Sequence, residues 1–181
     1  MSDKTEKKYM KKSEIVTFGI GLFGVALMTG WMPDYTATFF ADFAFKGKGF
    51  DSATMANAIS MVFLVAGIIG AVCELVIGYL VDNTRTKLGK VKPWVGFGVV
   101  PLAVVAMLVF IAPNTSNQTL AIVWMFVIYS LYTAFSCAVE SPSNCFGSLC
   151  SPNPAERSTA ISIASFLRSV GPVSYTHLTL P

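Results

Sequence analysis

The run D-N-T-R-T-K-L-G-K-V-K-P-W, Asp82 to Trp94, crowds Arg85, Lys87, Lys90 and Lys92 into one short segment between two long apolar stretches. Upstream, Glu74 is the only charged residue from Ser52 to Val81; downstream, none occurs from Pro93 to Val139. The chain as a whole is 54% hydrophobic and 13% charged, with a mean hydropathy of +0.61. Soluble domains carry about 25% charged residues, and a bilayer core takes about 20 predominantly apolar residues per helix. The flanks of the quoted run are therefore membrane spans, and a soluble domain is excluded. The runs are too long, and too poor in alternation, for the strands of a membrane barrel.

Working outward, the pattern predicts four complete spans and the start of a fifth: about Ile15 to Phe45, Ala53 to Val81, Trp94 to Ala112 and Leu120 to Leu149. The first is long enough to imply tilt or projection beyond the hydrocarbon, and Pro33 is expected to kink it. The uncharged turn P-N-T-S-N-Q-T, Pro113 to Thr119, separates the third span from the fourth. S-P-N-P-A-E-R, Ser151 to Arg157, then breaks the chain with two prolines, and the fifth helix is expected from about Ser158. The polar segment Met1 to Lys12 reads as a cytoplasmic basic tail, not a signal peptide, because no small-residue cleavage pattern follows the first apolar run.

Orientation follows from the cations. Lys4, Lys7, Lys8, Lys11 and Lys12 in the tail, with Arg85, Lys87, Lys90 and Lys92, account for nine of the 13 Lys+Arg. The first-to-second loop sets Lys46 and Lys48 against Asp42 and Asp51. By the positive-inside rule, the N-terminus and the loop after the second span face the cytoplasm, as in a multi-pass protein of the cell membrane. The net charge of +3 is largely this topology signal and gives no reason to expect nucleic acid as a partner.

A topology signal needs only cations, whereas here Asp82, Thr84, Gly89, Pro93 and Trp94 recur among them in a tight order. The series Gly78-Tyr79-x-x-Asp82-x-Thr84-Arg85-Thr86-Lys87-x-Gly89-Lys90-x-Lys92-Pro93-Trp94 resembles the cytoplasmic loop after helix two of the glycoside–pentoside–hexuronide:cation symporters, a family of the major facilitator superfamily that includes melibiose permease. Glu140-Ser141-Pro142-Ser143-Asn144 and Asn153-Pro154-Ala155-Glu156-Arg157 resemble the end of helix four and the next loop of that family. The resemblance extends over about Ile15 to Pro172. It implies that Asp82, Thr84, Arg85, Lys87, Gly89, Lys90, Lys92 and Pro93 form a clamp, which locks neighbouring helix ends and releases them as the transporter changes its facing. Acid–base contacts of this kind bias a two-state motion by a few kcal/mol at most.

The intramembrane carboxylates are the candidates for chemistry. A charged side chain at mid-membrane costs on the order of 2.5–3.5 kcal/mol even on the lenient insertion scale, so such groups usually face a cavity or a partner. Glu74, Glu140 and Asp34 are the three. In the family, two aspartates four residues apart on helix two hold the coupling cation, and those positions read as Gly70 and Glu74. A lone buried glutamate takes up and releases a proton more readily than it fills a sodium shell, which favours proton over sodium. Hydroxyl and backbone oxygens leave sodium open. The structural alternative is a Glu74 that only pairs with a basic residue. The family's sugar-binding acid on helix four reads as Glu140, and a carboxylate accepting two hydroxyl hydrogen bonds suits a pyranose. Its helix-one acid reads as Ala26. Asp34 lies further on, about 12 Å along the axis, and is assigned to the outer mouth of the cavity. A family arginine on helix five reads as Ser165, with Arg168 one turn later, within reach of Glu140 or an anionic substrate.

Other signals are discounted. Gly19-Ile20-Gly21-Leu22-Phe23-Gly24 spells G-x-G-x-x-G inside an apolar helix with no strand before it, so close helix packing explains it better than a dinucleotide. Cys73, Cys137, Cys145 and Cys150 show no metal-ligand spacing and read as small apolar residues in lipid-facing or packed positions. Trp31, Trp94 and Trp124 read as packing or interface anchors. The tail V-S-Y-T-H-L-T-L-P, Val173 to Pro181, reads as the translation of a transposase-type sequencing adapter, so its His177 is given no role.

The expected fold is an all-α polytopic membrane protein, the N-terminal part of a major facilitator superfamily bundle, organised as tail 1–12, helices 13–172 and appended segment 173–181. The expected function is symport of a glycoside or related sugar with H+ or Na+ by alternating access, with no cofactor beyond that ion. The lipid bilayer and the missing C-terminal half are its further partners. A transporter of amphipathic lipids, and a non-transporting sensor or scaffold, are the alternatives. No nucleophile–base or metal constellation argues for an enzyme.

Overall fold

The computed structural model describes residues 9, 11–44, 48–87, 89–149 and 151–179; Lys4, Lys7, Lys8, Lys46 and Cys150 lie outside them. Five α-helices follow in order: α1 (Lys12–Thr38), which passes into a π-helical segment (Phe39–Ala44), α2 (Ser52–Asn83), α3 (Lys92–Val109), α4 (Gln118–Leu149) and α5 (Pro154–Thr179). No strand occurs among the described residues. Ser13–Ala44, Ser52–Asn83, Lys92–Val109 and Gln118–Cys145 are each long and apolar enough to cross a bilayer. The protein is an all-α, multi-pass membrane protein, and the four expected spans are borne out.

Helix boundaries are set by local chemistry. Asp51 caps α2, its carboxylate accepting from the Thr54 amide at 2.8 Å and from the Thr54 hydroxyl. Those bonds, the hydroxyl first, hold the Asp51 carboxyl below its usual pKa. Helix α3 opens with Pro93 in its first turn, where the missing N–H removes no helical bond. Helix α5 starts at Pro154, earlier than the sequence suggests: Asn153 Oδ1 accepts from the Ala155 amide at 2.9 Å, so Asn-Pro begins a helix here instead of ending one. Helix α1 runs through Pro33, and its departure from α geometry comes afterwards, at Phe39–Ala44.

The chain divides into two compact units, Met32–Pro142 and Met1–Trp31 with Ser143–Pro181. In the first, Phe40 is buried and meets Trp124 edge-on at 6.3 Å, while Phe39 meets Phe110 at 5.3 Å. Lys48 Nζ donates to the Pro113 carbonyl at 3.0 Å and Gln118 Nε2 to the Asp51 carbonyl at 3.4 Å. These bonds tie the first-to-second loop to the third-to-fourth turn at one end of the unit, as an up-and-down bundle requires. Leu102, Val109, Met125 and Val139 are fully buried between helices, whereas Met61, Leu64, Ile68, Val72 and Leu75 leave a long apolar stripe of α2 uncovered. Such a stripe is expected of a helix in lipid, where van der Waals packing and hydrogen bonds hold helices together in place of a hydrophobic drive.

In the second unit α1 and α5 approach closely at Gly19, where a Cβ would come within 2.5 Å of Leu167 Cδ1. Gly21 and Gly24 face open space, so only one glycine of the G-x-G-x-x-G string serves the packing expected of it. The Tyr9 amide donates to both Glu156 oxygens, at 3.0 and 3.1 Å, and Ser151 Oγ donates to Glu156 Oε2 at 2.8 Å. The base of the basic tail is thereby fastened to the first turn of α5.

Candidate functional site

The face of α4 carrying Tyr129, Tyr132, Thr133, Ser136, Cys137 and Glu140 repeats at three- and four-residue steps, so these side chains form one stripe. Helix α2 meets it at Gly70. A Cβ there would lie 3.1 Å from Thr133 Cγ2 and 3.9 Å from Cys137 Sγ, and the Cys137 thiol donates to the Gly70 carbonyl at 3.7 Å. Gly70, read in sequence as half of a cation site, thus stands buried in the contact between α2 and α4. An aspartate would not fit there without displacing Thr133.

One turn along α2, Glu74 is exposed, and on α4 Glu140 is half-buried. The Cys137 thiol lies within electrostatic reach of both, and Tyr132 within reach of Glu140. The two carboxylates therefore both lie near the crossing point of α2 and α4. Further along the stripe, Tyr129 stacks edge-on against Phe63 of α2 at 4.5 Å and packs beside Tyr132 at 5.8 Å. Asp34 of α1 is exposed and acts electrostatically on Tyr129. Tyr129 and Tyr132 are themselves buried, so their rings pack the contact of α4 with α2, and the half-buried Glu140 is the carboxylate at the end of this packed stripe, where it can accept from hydroxyls.

Sequence reading passed over Phe63, Tyr129 and Tyr132, because a tyrosine inside a span counts as apolar. The stripe from Tyr129 to Glu140 was the signal that would have found them.

Arg168 belongs to the other unit. Its Nη1 donates to Asn144 Oδ1 at 2.6 Å, and both residues line a cavity of about 220 Å³ together with Phe18, Leu22 and Ser165. The helix-five position that the family resemblance would fill with arginine, Ser165, thus shares its cavity with the arginine one turn on. Ala26, at the missing helix-one acid, is buried.

The Asp82–Trp94 segment is ordered by hydroxyls. Thr84 Oγ1 donates to the Leu80 carbonyl at 2.7 Å and accepts from Trp94 Nε1 at 3.0 Å, joining the end of α2 to the start of α3. Thr86 Oγ1 donates to the Gly89 carbonyl at 2.6 Å, and the Gly89 amide returns a bond to the Thr86 carbonyl at 3.0 Å. Gly89 has φ +91°, a conformation that disfavours any side chain, which accounts for glycine at the turn. Asp82, Arg85, Lys87, Lys90 and Lys92 all stand exposed around this frame.

A family model described as MFS/sugar transport protein matches residues 17–181. Among characterised sequences, the chain is 31% identical over 126 residues to a protein provisionally named glycoside/cation symporter YagG of Escherichia coli (strain K12), covering 70% of this chain and 27% of that one. It is 32% identical over 127 residues to the isoprimeverose transporter of Lactiplantibacillus pentosus, covering 70% and 26%. It is 24% identical over 192 residues to the lactose permease of Leuconostoc lactis, covering 100% and 29%. The chain thus spans under a third of the length of these relatives. With its helical membrane bundle and loop pattern, the chain belongs to the MFS/sugar transport protein family, among the glycoside–pentoside–hexuronide:cation symporters of the major facilitator superfamily.

Proposed function

We propose that this chain supplies the first helices of a secondary transporter that carries a glycoside or related sugar across the cell membrane together with H+ or Na+. The observation that carries this reading is the α2–α4 crossing, where Glu74 and Glu140 both lie within electrostatic reach of Cys137, next to the buried rings of Tyr129 and Tyr132. Glu140 is the sugar-binding carboxylate, with Asp34 toward one end of the stripe. Arg168, held by Asn144, is a further polar contact for substrate. Glu74 is the coupling carboxylate. Glu74 stands exposed instead of buried, so the preference for proton over sodium rests on ligand number: Gly70, closed by Thr133, offers no second acid on the adjacent turn of α2, and one carboxylate falls short of the several oxygens a hard cation takes. The Asp82–Pro93 loop is the clamp of an alternating-access cycle, with the N-terminus on the cytoplasmic side. The other half of the substrate site comes from helices beyond this chain, as in transporters built from repeats that bind at mid-membrane. Val173–Pro181 is left out of the functional assignment.

The test is uptake of labelled glycosides into vesicles containing the full-length transporter, driven by a proton gradient in sodium-free buffer or by a sodium gradient at equal pH. Uptake should follow the proton gradient, and Glu74→Gln should abolish accumulation while sparing sugar binding. Failure of every glycoside under both gradients, or full activity of both Glu74→Gln and Glu140→Gln, would overturn the reading.

A further inference from the structure

The Met32–Pro142 unit holds a second recess, on the opposite side of α4 from the Tyr129–Glu140 stripe. It measures about 390 Å³ and is walled by Trp94, Phe97, Pro101 and Phe135, with Thr84 and Thr86 at its mouth. Its floor exists because α3 presses against α4 at Gly98, where a Cβ would come within 2.8 Å of Val139 Cγ2. Phe97 is 81% exposed, so the groove opens outward along its length. Four walls are apolar, and among the described residues no carboxylate or amide lines it to hold a sugar.

The mouth differs from the walls. Thr84 and Thr86 alternate with the exposed Arg85 and Lys87, and exposed Lys90 and Lys92 precede Pro93, against Asp82 as the stretch's one acid. The Trp94 indole N–H is engaged by Thr84 Oγ1 at 3.0 Å, which pins the ring at the junction between charged mouth and apolar wall. An apolar trough ending in a surplus of cations is complementary to one kind of molecule: a long hydrocarbon chain carrying an anionic head.

We propose that this groove binds an anionic phospholipid of the leaflet on which the loop lies. One acyl chain runs along Phe97, Pro101 and Phe135, and the phosphate sits at the mouth in the field of Arg85, Lys87, Lys90 and Lys92, held by charge because the Thr84 and Thr86 hydroxyls already donate to the Leu80 and Gly89 carbonyls. Juxtamembrane cations attract anionic lipid in any setting; the groove beside them converts a diffuse attraction into a site. A topology signal alone would need the cations but not the groove. The assignment rests on the groove and its charge, independently of the transport reading.

Quenching of Trp94 by brominated lipid tests it. The protein is placed in nanodiscs doped with brominated phosphatidylglycerol or, at the same mole fraction, brominated phosphatidylcholine. The Trp94 contribution is the signal of the native protein minus that of Trp94→Phe. Phosphatidylglycerol should quench Trp94 about twofold or more beyond phosphatidylcholine. Raising the ionic strength should shrink that preference as the Debye length falls. Arg85→Gln combined with Lys87→Gln, Lys90→Gln and Lys92→Gln should abolish it. The salt series needs no variant, so poor folding of the quadruple substitution leaves the test intact. Equal quenching by the two lipids would overturn the proposal. So would no quenching by either, which would mean that protein fills the groove, whether helices beyond this chain or a second copy.

Discussion

Helix α4 is crossed twice at close range within the Met32–Pro142 unit, by α2 at Gly70 and by α3 at Gly98, and the two crossings are built for different ends. At Gly70 the neighbours are Thr133 and the Cys137 thiol, with Glu74 and Glu140 in electrostatic reach of that thiol. At Gly98 the neighbours are Val139 and the Ala138 carbonyl, with Phe97, Pro101 and Phe135 around them. One helix thus presents a polar, chemically equipped face and, a few residues round, an apolar one. A glycine brings the partner helix in to either; what surrounds the glycine decides whether the contact is polar or apolar.

The largest expected effect breaks the comparison on the polar side. Glu140→Gln in the full-length transporter should lower sugar uptake, at subsaturating substrate, by roughly tenfold to a hundredfold, the worth of a hydrogen bond to a charged group. Glu140→Asp should recover part of it. An unchanged uptake would reduce the polar crossing to packing.

Next come the glycines themselves. Gly98→Ala puts a methyl against Val139, an overpacking that costs about 1–3 kcal/mol, and Val139→Ala in the same chain should restore much of the loss. Gly70→Ala needs Thr133 to give by only tenths of an ångström, and the gain in helix propensity, about 1 kcal/mol, offsets that strain. Thermal unfolding in detergent should rank Gly98→Ala well below Gly70→Ala. The reverse order would mean that the α3 contact is the looser of the two.

Thr84→Val removes the acceptor of the Trp94 indole while keeping the side chain's shape. The lost bond is worth about 0.5–1.5 kcal/mol, and Trp94 emission should shift to longer wavelength as the ring loosens. No shift would show that the apolar walls alone hold it.

The smallest effect lies outside the spans. Because the Thr54 hydroxyl and amide lower the Asp51 pKa on folding, the cap's contribution is fully present above the unfolded value, about 3.9, and disappears as pH falls through the lower folded value. Asp51→Asn should flatten that acid limb of stability and leave neutral pH nearly unchanged. A limb that persists in Asp51→Asn would belong to another carboxylate.

The spans were legible because runs such as Pro93 to Val139 contain no charge, and nothing but a bilayer favours so long a run. Their ends were less so. Asn153-Pro154 reads as a break on composition, and only the bond from the Ala155 amide reveals it as a cap. The two carboxylates of the polar crossing were visible as costly exceptions within apolar helices. Their convergence on Cys137 was not, since that depends on how α2 turns against α4. Gly70 shows the same limit: its register with a family acid is a matter of sequence, but its burial against Thr133 is a matter of packing.

The π-helical segment at Phe39–Ala44 carries a consequence for evolution along this chain. Each π turn takes up one residue more than an α turn, so a helical wheel drawn from the body of α1 misplaces Asp42 and Phe43. It also makes this the place along α1 where one residue can be gained or lost by trading π for α geometry.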